Sequence, residues 1–364
     1  METGRLRKIF SSFSTLGRWR DCCRFGSGHI HDTFRIRTAG SSAPDYIMQR
    51  INTGVFRDVP MLQANIETVT GHIRKKLQAI PGSDPLRQCL TPVPAADGKT
   101  WHRERDGSYW RLFIYITDHR TYDRVESEAL ASEGGTAVGK FVAMLADLPG
   151  AAVGETIPDF HNTPLRIERF IESVRRDVAG RAAAVRDETE KILGRAGGMH
   201  AIANLGHEGA IPLRVTHNDT KFNNVLLDLN NKALCLIDLD TVMPGYVHYD
   251  FGDAIRTAAN TGEEDAADTA TVGLSLPLYR AWTRGFMGET RNILTETEIR
   301  WLPFAPRLLT YEQALRFLAD YIEGDVYYRV HDTGHNLRRA RAQIRLLESM
   351  EDSASEMEAV VNIG

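Results

Sequence analysis

One segment limits what this chain can become more than any other: Val215-Thr-His-Asn-Asp-Thr-Lys-Phe-Asn-Asn-Val-Leu-Leu-Asp-Leu-Asn-Asn-Lys-Ala-Leu-Cys-Leu-Ile-Asp-Leu-Asp240. A polar stretch carrying His217 and Asp219 leads into an apolar run from Val225 to Leu227. The turn residues Asn230, Asn231 and Lys232 follow, and a second apolar run from Ala233 to Ile237 ends on Asp238. Two short apolar runs joined by turn residues predict a β-hairpin. With the turn centred on Asn231, Val225 is expected opposite Ile237, which sets Asn224 and Asp238 side by side at the open end. An amide oxygen beside a carboxylate suits a hard divalent cation such as Mg2+.

The chain has 364 residues, 42% hydrophobic and 25% charged, enough for a substantial core and too long for one compact unit, so two lobes are expected. A net charge of −4 carries no electrostatic footprint for nucleic acid. Cys22, Cys23, Cys89 and Cys235 have neither metal-site nor disulfide spacing, which fits a reducing cytoplasm. Arg5, Arg7 and Lys8 precede Ile9-Phe10, but serines and then Arg18 and Arg20 interrupt the apolar stretch. It is too polar for a signal peptide and reads as an amphipathic helix through Ile9, Phe10, Phe13 and Leu16. No run approaches membrane-spanning length.

Strand signals crowd the first third. Gly26 and Gly28 precede the alternating run Thr33 to Arg37, and glycines there let a backbone approach a phosphate, although a plain turn explains them equally well. On the next predicted strand, Tyr46 to Ile51, Arg50 is the candidate cation for the α- and β-phosphates of ATP, against the alternative of a solvated edge charge. Met61 to Leu77 has helical periodicity, and Glu67 on it is expected to be solvent-exposed. Turn signals at Asp97-Gly98 and Asp106-Gly107 divide three strand-like runs between Leu90 and Ile116. Backbone groups around Tyr115, from Ile114 to Ile116, are candidates to bind adenine at the lobe junction, against the alternative of an ordinary buried strand. Beyond Val125 the pattern becomes helical, with a charged helical segment from Ile167 to Gly194 and an acidic, frayed tail from Glu351 to Glu358. The fold class is α+β: a nucleotide-binding lobe over residues 1–116, and a catalytic and substrate-binding lobe over 117–364, with the cleft between them.

Asp219 lies five residues before Asn224, the H-x-D-x-x-x-x-N spacing of the kinase catalytic loop. ATP-dependent transfer of a phosphoryl group follows as the working chemistry, with Asp219 the base toward the acceptor hydroxyl, Asn224 and Asp238 the Mg2+ ligands, and His217 a brace for the loop. Asp240 is a candidate for a second metal or a sugar hydroxyl. Tyr249-Asp-Phe-Gly-Asp253 contains D-F-G, yet Asp238 already holds the metal position, so Asp250 is expected to cap a helix or brace the catalytic loop.

Residues 215–224 with Ile237-Asp-Leu-Asp240 resemble the aminoglycoside phosphotransferase superfamily, which has a protein-kinase-like fold. Gly28-His-Ile-His-Asp-Thr33, Gln49-Arg-Ile-Asn-Thr53, Glu155 to Pro164, Ile237 to Gly245, Arg316-Phe-Leu-Ala-Asp-Tyr321 and Gly324-Asp-Val-Tyr-Tyr328 narrow the resemblance to the N-acetylhexosamine 1-kinases. That resemblance implies ATP- and Mg2+-dependent phosphorylation of the anomeric hydroxyl of N-acetylglucosamine or N-acetylgalactosamine. It makes Arg316 the leading sugar contact, against an i+4 salt bridge to Asp320, with Tyr327 and His31 as further candidates. The superfamily's His-Gly-Asp reads His217-Asn218-Asp219 here. Partners are then a small sugar, with neither nucleic acid nor membrane, and the chain acts as a monomer. Two readings remain beside it. One is another small-molecule kinase of this fold, acting on choline, methylthioribose, homoserine or an aminoglycoside. The other is a catalytically silent sugar- or nucleotide-binding relative.

Overall fold

The computed structural model describes residues 2–26, 30–40 and 42–363. Its elements run α1 (Glu2–Phe10), β1 (Arg18–Arg24), β2 (Asp32–Ala39), β3 (Tyr46–Ile51), α2 (Val59–Gln78), α3 (Pro85–Gln88), β4 (Trp101–Arg103), β5 (Tyr109–Ile114), β6 (His119–Arg120) and α4 (Glu128–Met144). They continue through α5 (Thr163–Arg176), α6 (Arg186–Leu193), α7 (Ala201–His207), β7 (Arg214–Thr216), β8 (Val225–Asp228), β9 (Ala233–Leu236), β10 (Met243–Gly245) and α8 (Val247–Ala258). The chain ends in α9 (Leu276–Thr290), α10 (Glu296–Trp301), α11 (Ala305–Glu323), α12 (His335–Asp352) and α13 (Ala354–Ile363).

Strands β1 to β5 form one antiparallel sheet in the order β1-β2-β3-β5-β4. Alternation assigns its two faces. Phe34, Ile36, Tyr46, Met48, Trp110 and Leu112 pack on Leu6, Ile9 and Phe10 of α1. From the opposite face Ile51 and Phe113 join α2 and the helical lobe in the main core. Asp58 caps α2 by accepting the Met61 N–H at 2.9 Å, and Pro60 occupies its first turn. Asn65 of α2 donates to the carbonyls of Gly154 (2.7 Å) and Val242 (2.9 Å), which fixes this helix to the second lobe.

In that lobe α4 crosses α9 so closely that a Cβ on Gly135 or Gly285 would overlap the opposing backbone at Trp282 or Ser132. Ile255, Phe251 and Phe286 belong to the main core, and a second cluster around Phe170, Tyr311, Phe317 and Leu318 joins α5, α11 and α12. No described helix is long and apolar enough to cross a membrane.

Several expectations shift. The arginine-rich stretch after Leu16 is strand β1, and Leu16 itself is 68% exposed, outside the helical face it was assigned to. Two strands, not three, lie between Leu90 and Ile116. The charged segment is broken: α5 ends at Asp177, which takes φ +41°, and a separate helix begins at Arg186. The tail is not frayed, because α13 buries Met357 and Val361 and its Met357 carbonyl accepts the Tyr279 hydroxyl at 3.2 Å.

Candidate active site

The hairpin is present in a shifted register. Asp228 Oδ1 accepts the backbone N–H groups of Asn230 (2.7 Å) and Lys232 (2.9 Å), and Asn231 takes φ +60°, so the turn centres on Asn230. Leu227 pairs with Ala233, but Leu226 pairs with Cys235, leaving Leu234 as a bulge, and Val225 faces Leu236, not Ile237. The Ile237 N–H donates to the Asn224 carbonyl at 2.9 Å. Asp238 then turns away with φ +63°, so it reaches the site from just beyond the ladder instead of from a paired position.

The loop before β8 is held from behind. Asp250 accepts the N–H of His217 at 2.9 Å and of Asn218 at 2.7 Å, one on each carboxylate oxygen, and its carbonyl accepts the Thr220 hydroxyl at 2.5 Å. It is therefore the brace of this loop. Nε2 of His217 donates to the Ile237 carbonyl at 3.0 Å while Nδ1 accepts the Asp219 N–H at 3.3 Å, so the ring ties loop to hairpin and has no nitrogen left for catalysis. Asn218 takes φ +64°, a conformation that glycine and asparagine tolerate best, which accounts for the His-Asn-Asp wording. Its amide donates to the carbonyls of Thr216 (3.2 Å) and Thr241 (2.9 Å), a tether that glycine lacks.

Asp219 faces the cleft. Asn224 Nδ2 donates to its carbonyl at 2.9 Å and its carboxylate at 3.2 Å, and the Lys221 ammonium sits 3.0 Å from the same carboxylate. Burial acts to raise the Asp219 pKa, but Lys221, His217 and Arg256 outweigh it and hold the group below the usual carboxylate range. Asp238 behaves oppositely. It makes no hydrogen bond or ion pair among the described residues, and burial together with the charges of Asp240 and Asp219 raises its pKa. Asn224 Oδ1 likewise accepts no hydrogen bond among the described residues, so both side chains keep an oxygen available to a cation.

Four predicted contacts need correction. Arg50 lies on the sheet face turned from the cleft, half exposed, with Asp32 at 3.7 Å, because alternation along β3 sends Gln49 inward instead. Tyr115 gives its N–H to the Asp45 carbonyl at 2.9 Å and packs its ring 4.0 Å from the Arg35 guanidinium, so that amide is not available to adenine. Asp240 is not open to a metal or a sugar hydroxyl. It is buried, bound by both Nη1 and Nη2 of Arg111 (Nη2 at 2.8 Å) and by His31 Nε2 at 2.5 Å. His31 is likewise taken on both nitrogens, since Nδ1 accepts the Asn52 N–H at 3.0 Å. Gly26 adopts φ +77° in the turn after β1, and Gly28 lies outside the described residues.

Arg316 and Tyr327 do come together. Asp320 is not the partner of Arg316, because it accepts the N–H groups of Tyr327 (2.7 Å) and Tyr328 (2.9 Å) and the amide of Asn336 (2.8 Å). The Arg316 guanidinium instead lies among aromatic rings, 5.5 Å from Phe160, 5.6 Å from Tyr328 and 6.0 Å from Tyr327. It lines a small cleft with Asp219, Asp253, Arg256, His161 and Glu312.

A family model for the phosphotransferase enzyme family matches residues 21–286. The chain belongs to that family. Similar solved structures include a spectinomycin phosphotransferase bound to ADP and spectinomycin, with 10% identity, TM-score 0.59, 98% of this chain and 99% of that one covered. An amicoumacin kinase holding AMP-PNP, Ca2+ and amicoumacin has 12% identity and TM-score 0.59, covering 95% and 93%. A choline kinase from Cryptosporidium parvum has 12% identity and TM-score 0.56, covering 94% and 92%. At these identities the likeness establishes the protein-kinase-like fold: an antiparallel sheet lobe followed by a helical one.

Within this phosphotransferase, three groups lay beyond the reading of the sequence. Lys221 went unnamed, although the Asp219-Thr-Lys221 spacing is a local signal that could have marked it. Arg111 looks like any arginine in an aromatic strand, and nothing local marks its pairing with a residue 129 positions away. Glu312 is buried and bound to His161 at 2.9 Å and Thr163 at 2.9 Å. Burial raises its pKa, yet His161 and Arg166 bring it down to about 2.

Proposed function

We propose that this phosphotransferase is a kinase that moves the γ-phosphoryl group of ATP to the anomeric hydroxyl of an N-acetylhexosamine, with Mg2+ as cofactor, giving the hexosamine 1-phosphate. One observation carries the choice of acceptor class. The cleft beside Asp219 contains two guanidinium groups, Arg256 and Arg316, and its other carboxylates, Asp253 and Glu312, are already ion-paired. A polyamine or a quaternary ammonium would enter against these cations with no surplus of negative charge to receive it. A neutral polyhydroxylated ring meets donors, acceptors and the Phe160 side chain.

The residues fit Mg2+. No described cluster of three or more His, Cys, Asp or Glu forms a closed metal cage. One carboxylate and one amide oxygen, with phosphate oxygens and water completing the shell, is the usual arrangement for this ion. Asp238 and Asn224 Oδ1 would hold it, and when bound it neutralises charge on the transferring phosphates. ATP is also the nucleotide consistent with the ADP and AMP-PNP in the similar structures.

Asp219, kept ionised by Lys221, accepts the proton of the attacking hydroxyl as its oxygen bonds to the γ-phosphorus and the bond from that phosphorus to the bridging oxygen breaks, with ADP leaving. Lys221, 3.0 Å from the Asp219 carboxylate, would stabilise the negative charge of the transferring phosphoryl group. Asn224 fixes the carboxylate direction through its amide. Arg316 donates to the acceptor's oxygens, and Asp250 keeps the loop rigid from beneath.

The test is ADP release with Mg-ATP across free N-acetylhexosamines, their 1-O-methyl glycosides, choline and aminoglycosides. The hexosamines turn over and the 1-O-methyl glycosides do not. Turnover of the blocked sugars would overturn anomeric transfer, and preferred turnover of choline or an aminoglycoside would overturn the sugar.

A further inference from the structure

Arg256 grips one oxygen of Asp253, donating to Oδ1 from Nε at 3.1 Å and from Nη2 at 2.7 Å. The other oxygen, Oδ2, has no partner at all, although it is shut off from bulk solvent and the side chain is only 9% exposed. The same side chain lines the cleft that holds Asp219 and Arg316. A buried carboxylate oxygen without a donor weakens a fold, and the side chain that carries this one lines the same cleft as Asp219, where a bound molecule can supply the missing donor.

We propose that Asp253 determines acceptor specificity, its Oδ2 receiving a hydrogen bond from a hydroxyl or amide N–H of the bound acceptor. The inference rests on the cleft being the acceptor site. Chemistry narrows the donor further. The Asp253 carboxylate accepts only, and the Arg316 guanidinium donates only. An amide substituent can serve both walls, its N–H toward Asp253 and its carbonyl toward Arg316, and a hydroxyl can do so through one oxygen, so the site calls for a group that both donates and accepts and disfavours an ether or a methyl in its place. The ion pair with Arg256 fixes the direction of Oδ2, so the contact discriminates by position as well as by donor type.

The experiment is a cycle between protein and acceptor, on the full chain with Mg-ATP. Asp253→Asn turns the free acceptor into a donor and keeps the side-chain shape. The acceptors are the best-used alcohol from the panel above and a series of its analogues, each lacking one hydroxyl or the amide N–H. In the unaltered enzyme one analogue loses about 10- to 100-fold in kcat/KM. Asp253→Asn loses a similar factor on the parent acceptor, loses little more on that one analogue, and keeps its KM for ATP. Asp253→Glu, which retains the bond to Arg256 and displaces the oxygen, shows the same selective loss with an unchanged melting temperature. If the losses multiply for every analogue, or if Asp253→Asn keeps the original profile, Asp253 serves only to hold Arg256 and the proposal falls. Should no hexosamine turn over while another alcohol does, the sugar reading fails separately, and the same cycle on that alcohol still decides the role of Asp253.

Discussion

At the scale of single residues, the site depends on two carboxylates driven in opposite directions. Lys221 holds the Asp219 pKa down, whereas burial and the charges of Asp240 and Asp219 raise that of Asp238. Asp219→Asn should lower kcat about 100- to 10,000-fold without loss of thermal stability, read by ADP release and a melting curve. Lys221→Ala removes what lowers the Asp219 pKa, so the acid limb of kcat/KM should move to higher pH, and an unmoved limb would refute the pairing. Asp238 predicts a stability effect. Its raised pKa means that the folded form gains protons more readily than the unfolded one, so this group works against folding above its unfolded pKa. Mg2+ with an ATP analogue should therefore raise the melting temperature of the native chain more than that of Asp238→Asn. Asp250 is the third decisive residue: Asp250→Ala leaves the N–H groups of His217 and Asn218 unpaired and should cost about 2 to 5 kcal/mol, measured by urea unfolding.

At the scale of elements, the crossing of α4 and α9 and the hairpin show what a sequence declares and what it conceals. Gly285→Ala should destabilise by about 1 to 3 kcal/mol or more, because its Cβ would meet the Ser132 carbonyl. Gly288→Ala, in the same helix with nothing within 4 Å of its Cβ, should be neutral or stabilising. Strand β3 and the ends of the hairpin were legible because alternation and turn residues are local signals. The one-residue offset was not, since the bulge at Leu234 follows from packing on both faces of β9 and leaves no mark in composition. Strand β1 went unassigned as well, because its arginines and cysteines carry no clear alternation and it is β2 that supplies its partner strand. Around the site, Asp219, Asn224 and Arg316 could be named because each belongs to a short pattern. Arg50, His31 and Asp240 were misassigned because strand direction and long-range ion pairing decide where their charges go.

At the scale of the molecule, two separate networks join the lobes: Asn65 reaches from α2 to Val242, and Arg111 with His31 reaches from the sheet lobe to Asp240. Arg111→Met strands a buried carboxylate and should cost about 3 to 5 kcal/mol, seen in denaturant unfolding. Acid should act on the whole fold. His248, buried and neutral, has its pKa pushed down to about 4 by burial, and Glu312 lies near 2. Unfolding lets His248 take up a proton as pH falls from about 6.5 toward 4, and Glu312 does so from about 4.5 toward 2. The unfolded chain binds more protons in both windows, so stability falls continuously through them.

The Arg111–Asp240–His31 cluster has a consequence for traffic through the cleft. Swinging the lobes apart like covers would pull a buried guanidinium and carboxylate into separate halves, at an energy comparable to much of a domain's total stability. The two lobes are therefore expected to keep their spacing while substrates exchange, and spectroscopic labels placed on them should report an almost constant separation throughout turnover.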